Sequence, residues 1–148
     1  MNTITDLINM ADVRDSQRSK VYLAESRWMF AYPGTRLETV TDMEEFTADV
    51  WRICCLPGNV PAIRPGHAAR RAFYRPYQHY IAVPRMHRST PTLLHEIAHA
   101  IPAWQKHTPS FAGRMLALTH RIMGWAASRD LAMTYAEAKV RVEDGIVY

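Results

Sequence analysis

Apolar residues along this chain recur first at helical spacing, then in short runs, then at helical spacing again. In DSQRSKVYLAESRWMFA, Val21, Ala24 and Trp28 fall on one side of a helix and Asp15 or Ser16 is available to cap it, which predicts a helix over 16–31. TDMEEF offers a capping box between Thr41 and Glu44, and Phe46, Val50 and Ile53 follow as an apolar stripe, predicting a helix over 42–54. Between 59 and 86 the runs VPAIR, ARRAFYR and HYIAVPR stand between turn residues and read as three strands, with a fourth around Leu37 to Val40. Thr90 then caps a helix over 91–101, with Pro91 at its first position and Pro102 ending it. Thr108-Pro109 opens another, on which Phe111, Met115, Leu118, Ile122 and Trp125 share one face until Gly124; a last helix spans about 132–142. No repeat or low-complexity stretch interrupts the series. The pattern predicts an α+β fold in which a small, mostly antiparallel sheet of three to four strands packs against the 91–101 helix and its flanking helices.

Composition narrows the class. A chain of 148 residues with 48% hydrophobic content can bury its own core, so one domain over 1–148 is expected, with 1–14 as a loosely attached N-terminal segment. The only cysteines, Cys54 and Cys55, are neighbours; they match neither a staple between distant segments nor a paired C-x-x-C zinc site, and they favour a reducing, cytoplasmic setting. No stretch has the make-up of a signal peptide or the length of a membrane span, so a soluble protein is expected. The net charge of +4 suits an acidic partner, yet the 18 Lys and Arg are dispersed. Their densest stretches are HAARRAFYR (67–75) and RMHRS (85–89); the first reads as a strand with one solvated face, and nucleic acid stays an alternative partner.

The chemistry concentrates at 95–107. His95 and His99, four apart on a helix, direct their ring nitrogens at one point, at the ~2.0–2.1 Å that suits zinc. Glu96, rotated by about 100° along the helix, flanks that point and can deprotonate a zinc-bound water. With seven histidines and seven glutamates in the chain, an H-E-x-x-H match arises by chance in about 1.5% of such sequences. Catalytic zinc needs a third protein ligand. His107 follows the break at Pro102 and precedes the next helix; Glu137 and Glu143 are the alternatives, and His120 is a candidate for closing the site with a fourth ligand. Gln105, six residues after His99, excludes the metzincin pattern. The expected reaction is amide hydrolysis with Glu96 as general base and the oxyanion held by one of Tyr74, Tyr77, Tyr80, Tyr135 or the arginines. A peptide substrate is expected to add as a strand along 79–84. The alternative is a non-catalytic module, nucleic-acid-associated or protein-binding, in which zinc only stabilises the fold.

DSQRSKVYLAE (15–25), HEIAH (95–99), HTPSF (107–111) and MGWAASRDLAMTYAEA (123–138) together resemble small predicted metallohydrolases of actinobacteria and their phages. More distantly, HExxH followed by H-x-P-x-F is similar to the SprT-like and WLM metallopeptidases, in which a third histidine soon after the motif completes the zinc site. The resemblance implies a zincin-like fold, a zinc hydrolase and His107 as third ligand; Thr108 stands where glycine is usual. SprT-like relatives act on proteins attached to DNA, a habit this basic chain could share. Asp15, Gln17, Arg18 and Tyr22 are expected to form a buried polar anchor behind the active helix rather than to line the cleft.

Overall fold

The computed structural model describes residues 15–67, 70–101 and 106–148. Helices α1 (Arg18–Ala31) and α2 (Val40–Ile53) precede strands β1 (Ala62–Pro65), β2 (Phe73–Arg75) and β3 (Tyr80–Val83); a 3-10 turn over Arg85–His87 then leads into α3 (Thr90–Ala100), α4 (Pro109–Met123) and α5 (Trp125–Glu137). The class is α+β, with a small mixed sheet. None of the described helices is long and apolar enough to cross a membrane. The expected N-terminal segment 1–14 and the turn at Pro102 lie outside the described residues.

Helix α3 is the centre of the molecule. Every residue from Thr90 to Ala100 except Thr92 is buried, because α3 packs against the sheet on one side and α4 on another. Its cap is Ser89, not Thr90: the Ser89 hydroxyl accepts from the Thr92 amide, with Pro91 just inside the first turn. Thr90 is diverted to the 34–35 loop, where its Oγ1 accepts from Thr35 N at 3.0 Å and its own amide donates to Thr35 O. Ile101, the residue before a proline, is extended (φ −66°, ψ 139°), so the helix stops there. At that end Arg114 of α4 donates from Nε to Ala98 O at 3.1 Å, a cation against the negative end of the α3 dipole.

Strand β3 lies between β1 and β2, parallel to the first and antiparallel to the second. The sheet is therefore mixed rather than mostly antiparallel, and no described strand lies at Leu37–Val40, where Val40 already begins α2 and only the single bridge Arg36–Ser89 forms. Both edges of β3 are taken, which rules out a substrate strand adding along 79–84. Ile63, Ile81 and Val83 face the helices, and His79, at φ 50°, makes the turn into β3 with its ring held between Tyr74 Oη (2.7 Å) and Asn59 O (2.6 Å).

The helix ends differ from expectation wherever a side chain found a better partner. The α2 capping box is Thr39 with Asp42, three residues apart and two ahead of the expected pair. At α1 neither Asp15 nor Ser16 caps; Gln17 holds the cap position without a side-chain bond, and Asp15 is engaged elsewhere. Thr108 caps α4 as expected, accepting from Phe111 N. Gly124, at φ 97°, ends α4 and α5 starts on the next residue, well before the expected 132, so Trp125 leaves the α4 face and is 62% exposed. Trp28 of α1 donates to Ala127 O at 2.9 Å, locking α1 against α5.

Gly34 sits at φ +66° under the start of α3, where a Cβ would collide with Thr90 Oγ1 and stand 2.5 Å from Pro91 Cδ. Gly34→Ala should therefore destabilise the fold by about 1–3 kcal/mol in urea unfolding; an unchanged midpoint would show that this loop does not position α3.

Candidate metal centre

The i, i+4 spacing brings the His95 and His99 rings to 5.1 Å between centroids on one side of α3. The chain returns from α3 so that His107, just before the α4 cap, places its Nε2 at 3.1 Å from His95 Nε2 and 3.3 Å from His99 Nε2. All three histidines are buried, and their ligand atoms lie within 4.8 Å of one another. Four nitrogens at ~2.0–2.1 Å around a tetrahedral ion would stand ~3.3–3.4 Å apart, close to the two separations observed. The Phe111 ring lines the cluster from below, with centroids 4.8, 4.3 and 5.0 Å from His95, His99 and His107. Tyr22 of α1 covers another side, stacked on His95 and tilted against His107 at 5.0 Å.

Carboxylates hold two of these rings from behind. Glu25 Oε1 takes a hydrogen bond from His95 Nδ1 at 2.7 Å, and its Oε2 accepts from the buried Tyr135 hydroxyl at 2.8 Å. Asp15 Oδ2 lies 2.8 Å from His107 Nδ1 and its Oδ1 accepts from the His107 amide at 3.2 Å. Gln17 completes that support: its Nε2 donates to His107 O and Arg141 O, and its Oε1 accepts from Arg141 N at 2.6 Å. A carboxylate accepts, so each Nδ1 carries the proton and each Nε2 turns a lone pair inward. Two acceptors facing each other at 3.1 Å in a dry interior repel unless a cation or a proton lies between them. The donor set thus fits a first-row divalent ion, with the outer carboxylates orienting the ligands.

Glu96 is buried, and its Oε1 lies 4.0 Å from His95 Nε2. Burial pushes its carboxyl up to about 7, with Glu25 adding to the effect and His95 opposing it. Burial lowers the His107 pKa, aided by His95 and opposed by Asp15. At His95 burial works against the charged ring, yet Glu25 and Glu96 outweigh it and the pKa is raised. A divalent ion would favour the ionised form of Glu96 and the neutral form of both imidazoles.

Two lobes of one cleft meet at Tyr22, Ala72 and Glu96. One, of about 440 Å³, is bordered by His99 and His107; the other, of about 470 Å³, by His95, Thr92 and Arg71. The structure brings together all four residues expected from HExxH and its downstream histidine. Glu137 and Glu143 are exposed and outside the cluster, and His120 is exposed on α4. Of the expected oxyanion groups, Tyr135 is buried on Glu25, Tyr77 is fully exposed, Tyr74 bonds His79 and Tyr80 lies under Arg64 at 3.9 Å. Asp15 and Gln17 do anchor, but the group they anchor is His107; Tyr22 and Arg18 line the cleft, and Asp15 borders it as well.

Glu25 is the residue sequence reasoning passed over, and Tyr135, expected at the oxyanion, supports Glu25 instead. Glu25 carried a signal: it falls on the Val21–Ala24–Trp28 stripe, and a carboxylate at a core position needs a buried partner. Glu25→Gln should weaken divalent-metal affinity by about 10–100-fold, read by competition with a chromogenic chelator. Asp15→Asn should do the same through His107, and affinities equal to the unaltered chain would separate these carboxylates from the centre. Comparison with protein-family models, with curated proteins and with solved structures finds no match for this chain.

Proposed function

We propose that this chain is a zinc-dependent hydrolase of peptide bonds, with a zincin-like arrangement of α3 and sheet and a distant kinship to SprT-like and WLM metallopeptidases. The observation that carries the reading is the convergence of His95, His99 and His107 Nε2 atoms beside a buried carboxylate that is not itself in the cluster. Three imidazoles favour zinc over the harder ions, which prefer oxygen. The cluster holds three ligands among the described residues, and the cleft opens on it past Glu96, the arrangement of a centre with a free position rather than of a closed structural site.

Zinc bound there would polarise a carbonyl and bring the pKa of its water towards ~7. Glu96 would take the water's proton as attack begins and return it to the leaving nitrogen, from a buried position 4.0 Å from His95 Nε2. Tyr22 faces the same space, with the Arg71 guanidinium 4.1 Å from its ring centroid, and is the group we assign to the developing oxyanion. Phe111 and Tyr22 pack against the histidine rings and hold them in place.

Protein purified without added metal should carry about one zinc per chain by inductively coupled plasma mass spectrometry, and should cleave members of a mixed peptide library. Glu96→Gln should keep the metal and the fold yet lose about 10²–10⁴-fold in rate; turnover equal to the unaltered chain rejects Glu96 as base, and a zinc-loaded protein that cleaves no peptide rejects the peptidase.

A further inference from the structure

The lobe of the cleft on the His95 side reaches beyond the residues assigned to the hydrolytic chemistry. Arg70 and Arg71 follow one another along its wall, His87 stands at the end of the 3-10 turn, and Ser26 and Thr92 add hydroxyls. Arg18 joins them around Tyr22, where its guanidinium lies 5.8 Å from the ring centroid and that of Arg71 4.1 Å. Among the described residues no carboxylate is ion-paired with Arg18, Arg70 or Arg71; the pairs that arginines make are Arg36–Glu38, Arg52–Asp49 and Arg129–Asp130, all with other partners. The two acids that border the lobe are committed elsewhere: Glu25 bonds His95 and Tyr135, and Glu96 flanks the histidine cluster. The guanidiniums of Arg70 and Arg71 therefore line one lobe whose two carboxylates are engaged with other groups, and Arg18 borders the adjoining space around Tyr22.

We propose that this lobe is a specificity subsite for an acidic side chain, Asp or Glu, beside the scissile bond of an extended peptide. The proposal rests on the peptidase reading and adds the substrate class. Guanidinium forks bind a carboxylate bidentately, and Ser26 and Thr92 supply further donors. The shape favours a peptide over a nucleic-acid strand. The lobe is a bounded space of about 470 Å³ that includes Met29, Met86 and Ala72 and ends at Glu96, room for one or two side chains with apolar stems. A phosphate backbone would need cations spaced along a track. Its position next to His95 and Glu96 places the bound acid within a residue or two of the reacting carbonyl.

The test is a binding measurement that does not depend on turnover. Zinc-loaded Glu96→Gln protein is titrated, by fluorescence anisotropy at two salt concentrations, into labelled hexapeptides that differ only in carrying Glu or Lys at the central positions. The Glu peptide should bind at least tenfold more tightly, Arg70→Glu added to this background should abolish the difference, and Arg71→Glu should reverse it, with folding checked by circular dichroism. Equal binding of the two peptides, or a preference untouched by both reversals, overturns the proposal. A twelve-nucleotide oligothymidylate that binds more tightly than the Glu peptide and displaces it overturns it as well. Absence of hydrolysis by the unaltered chain with the Glu preference intact would instead sink the peptidase reading while leaving the acidic subsite standing.

Discussion

The Nε2 atoms of two buried imidazoles, His95 and His107, meet at 3.1 Å, and that contact sets the constraint on which the rest of the molecule depends. Glu25 and Asp15 claim the Nδ1 protons from behind, so a neutral ring turns its Nε2 lone pair inward and the contact calls for a cation or a proton between the two nitrogens. The carboxylates are themselves held, by Tyr135 on one side and by the His107 amide on the other. Removing one partner of such a buried set leaves an uncompensated charge or donor, which is why the supports are as demanding as the ligands. A divalent ion held here would relieve both problems at once, taking the lone pairs and offsetting the charge of the neighbouring carboxylates.

That requirement explains the packing of helices that carry no ligand. Helix α1 has almost no apolar asymmetry beyond Val21, Ala24 and Trp28, yet it lies against the centre because Glu25 must reach His95 and Tyr22 covers the rings. Helix α5 contributes Tyr135 from its own buried stripe with Ala127 and Leu131, and the Trp28 bond to Ala127 O fixes it against α1. Helix α4 begins two residues after His107, so the Thr108 cap that starts the helix also fixes where His107 leaves the loop. The Arg114 bond to Ala98 O then ties α4 to the end of α3. Buried polar groups here are joined into one connected network, which specifies a single arrangement more strictly than apolar packing alone.

The sheet plays a different part. Its mixed order buries β3 on both edges and turns Ile63, Ile81 and Val83 onto the helices, so it is a platform for α3 rather than a template for a substrate strand. The cleft instead runs between α1 and the segment around β2, where Ala72 and Tyr22 face each other across Glu96. The arginines before β2, which in sequence read as one solvated face of a strand, lie outside it and border this cleft.

What the sequence determined by itself is what local geometry can encode. The i, i+4 spacing of His95 and His99, the flanking Glu96, the prolines and threonines at the helix starts and the stop at Pro102 act over a turn or two, so the histidine-bearing helix and its return to His107 were legible. Cap positions slipped where a competing bond existed: Thr90 serves the 34–35 loop and Asp15 serves His107, leaving Ser89 and Gln17 at the caps. Only the tertiary structure decided the strand order, the early start of α5 and the partners of the ligands. Glu25 lies 70 residues from His95, Asp15 92 from His107 and Tyr135 110 from Glu25. Such pairs leave no period in the chain, because a hydrogen bond between distant elements depends on how whole helices are stacked, and that is settled by the burial of all of them together.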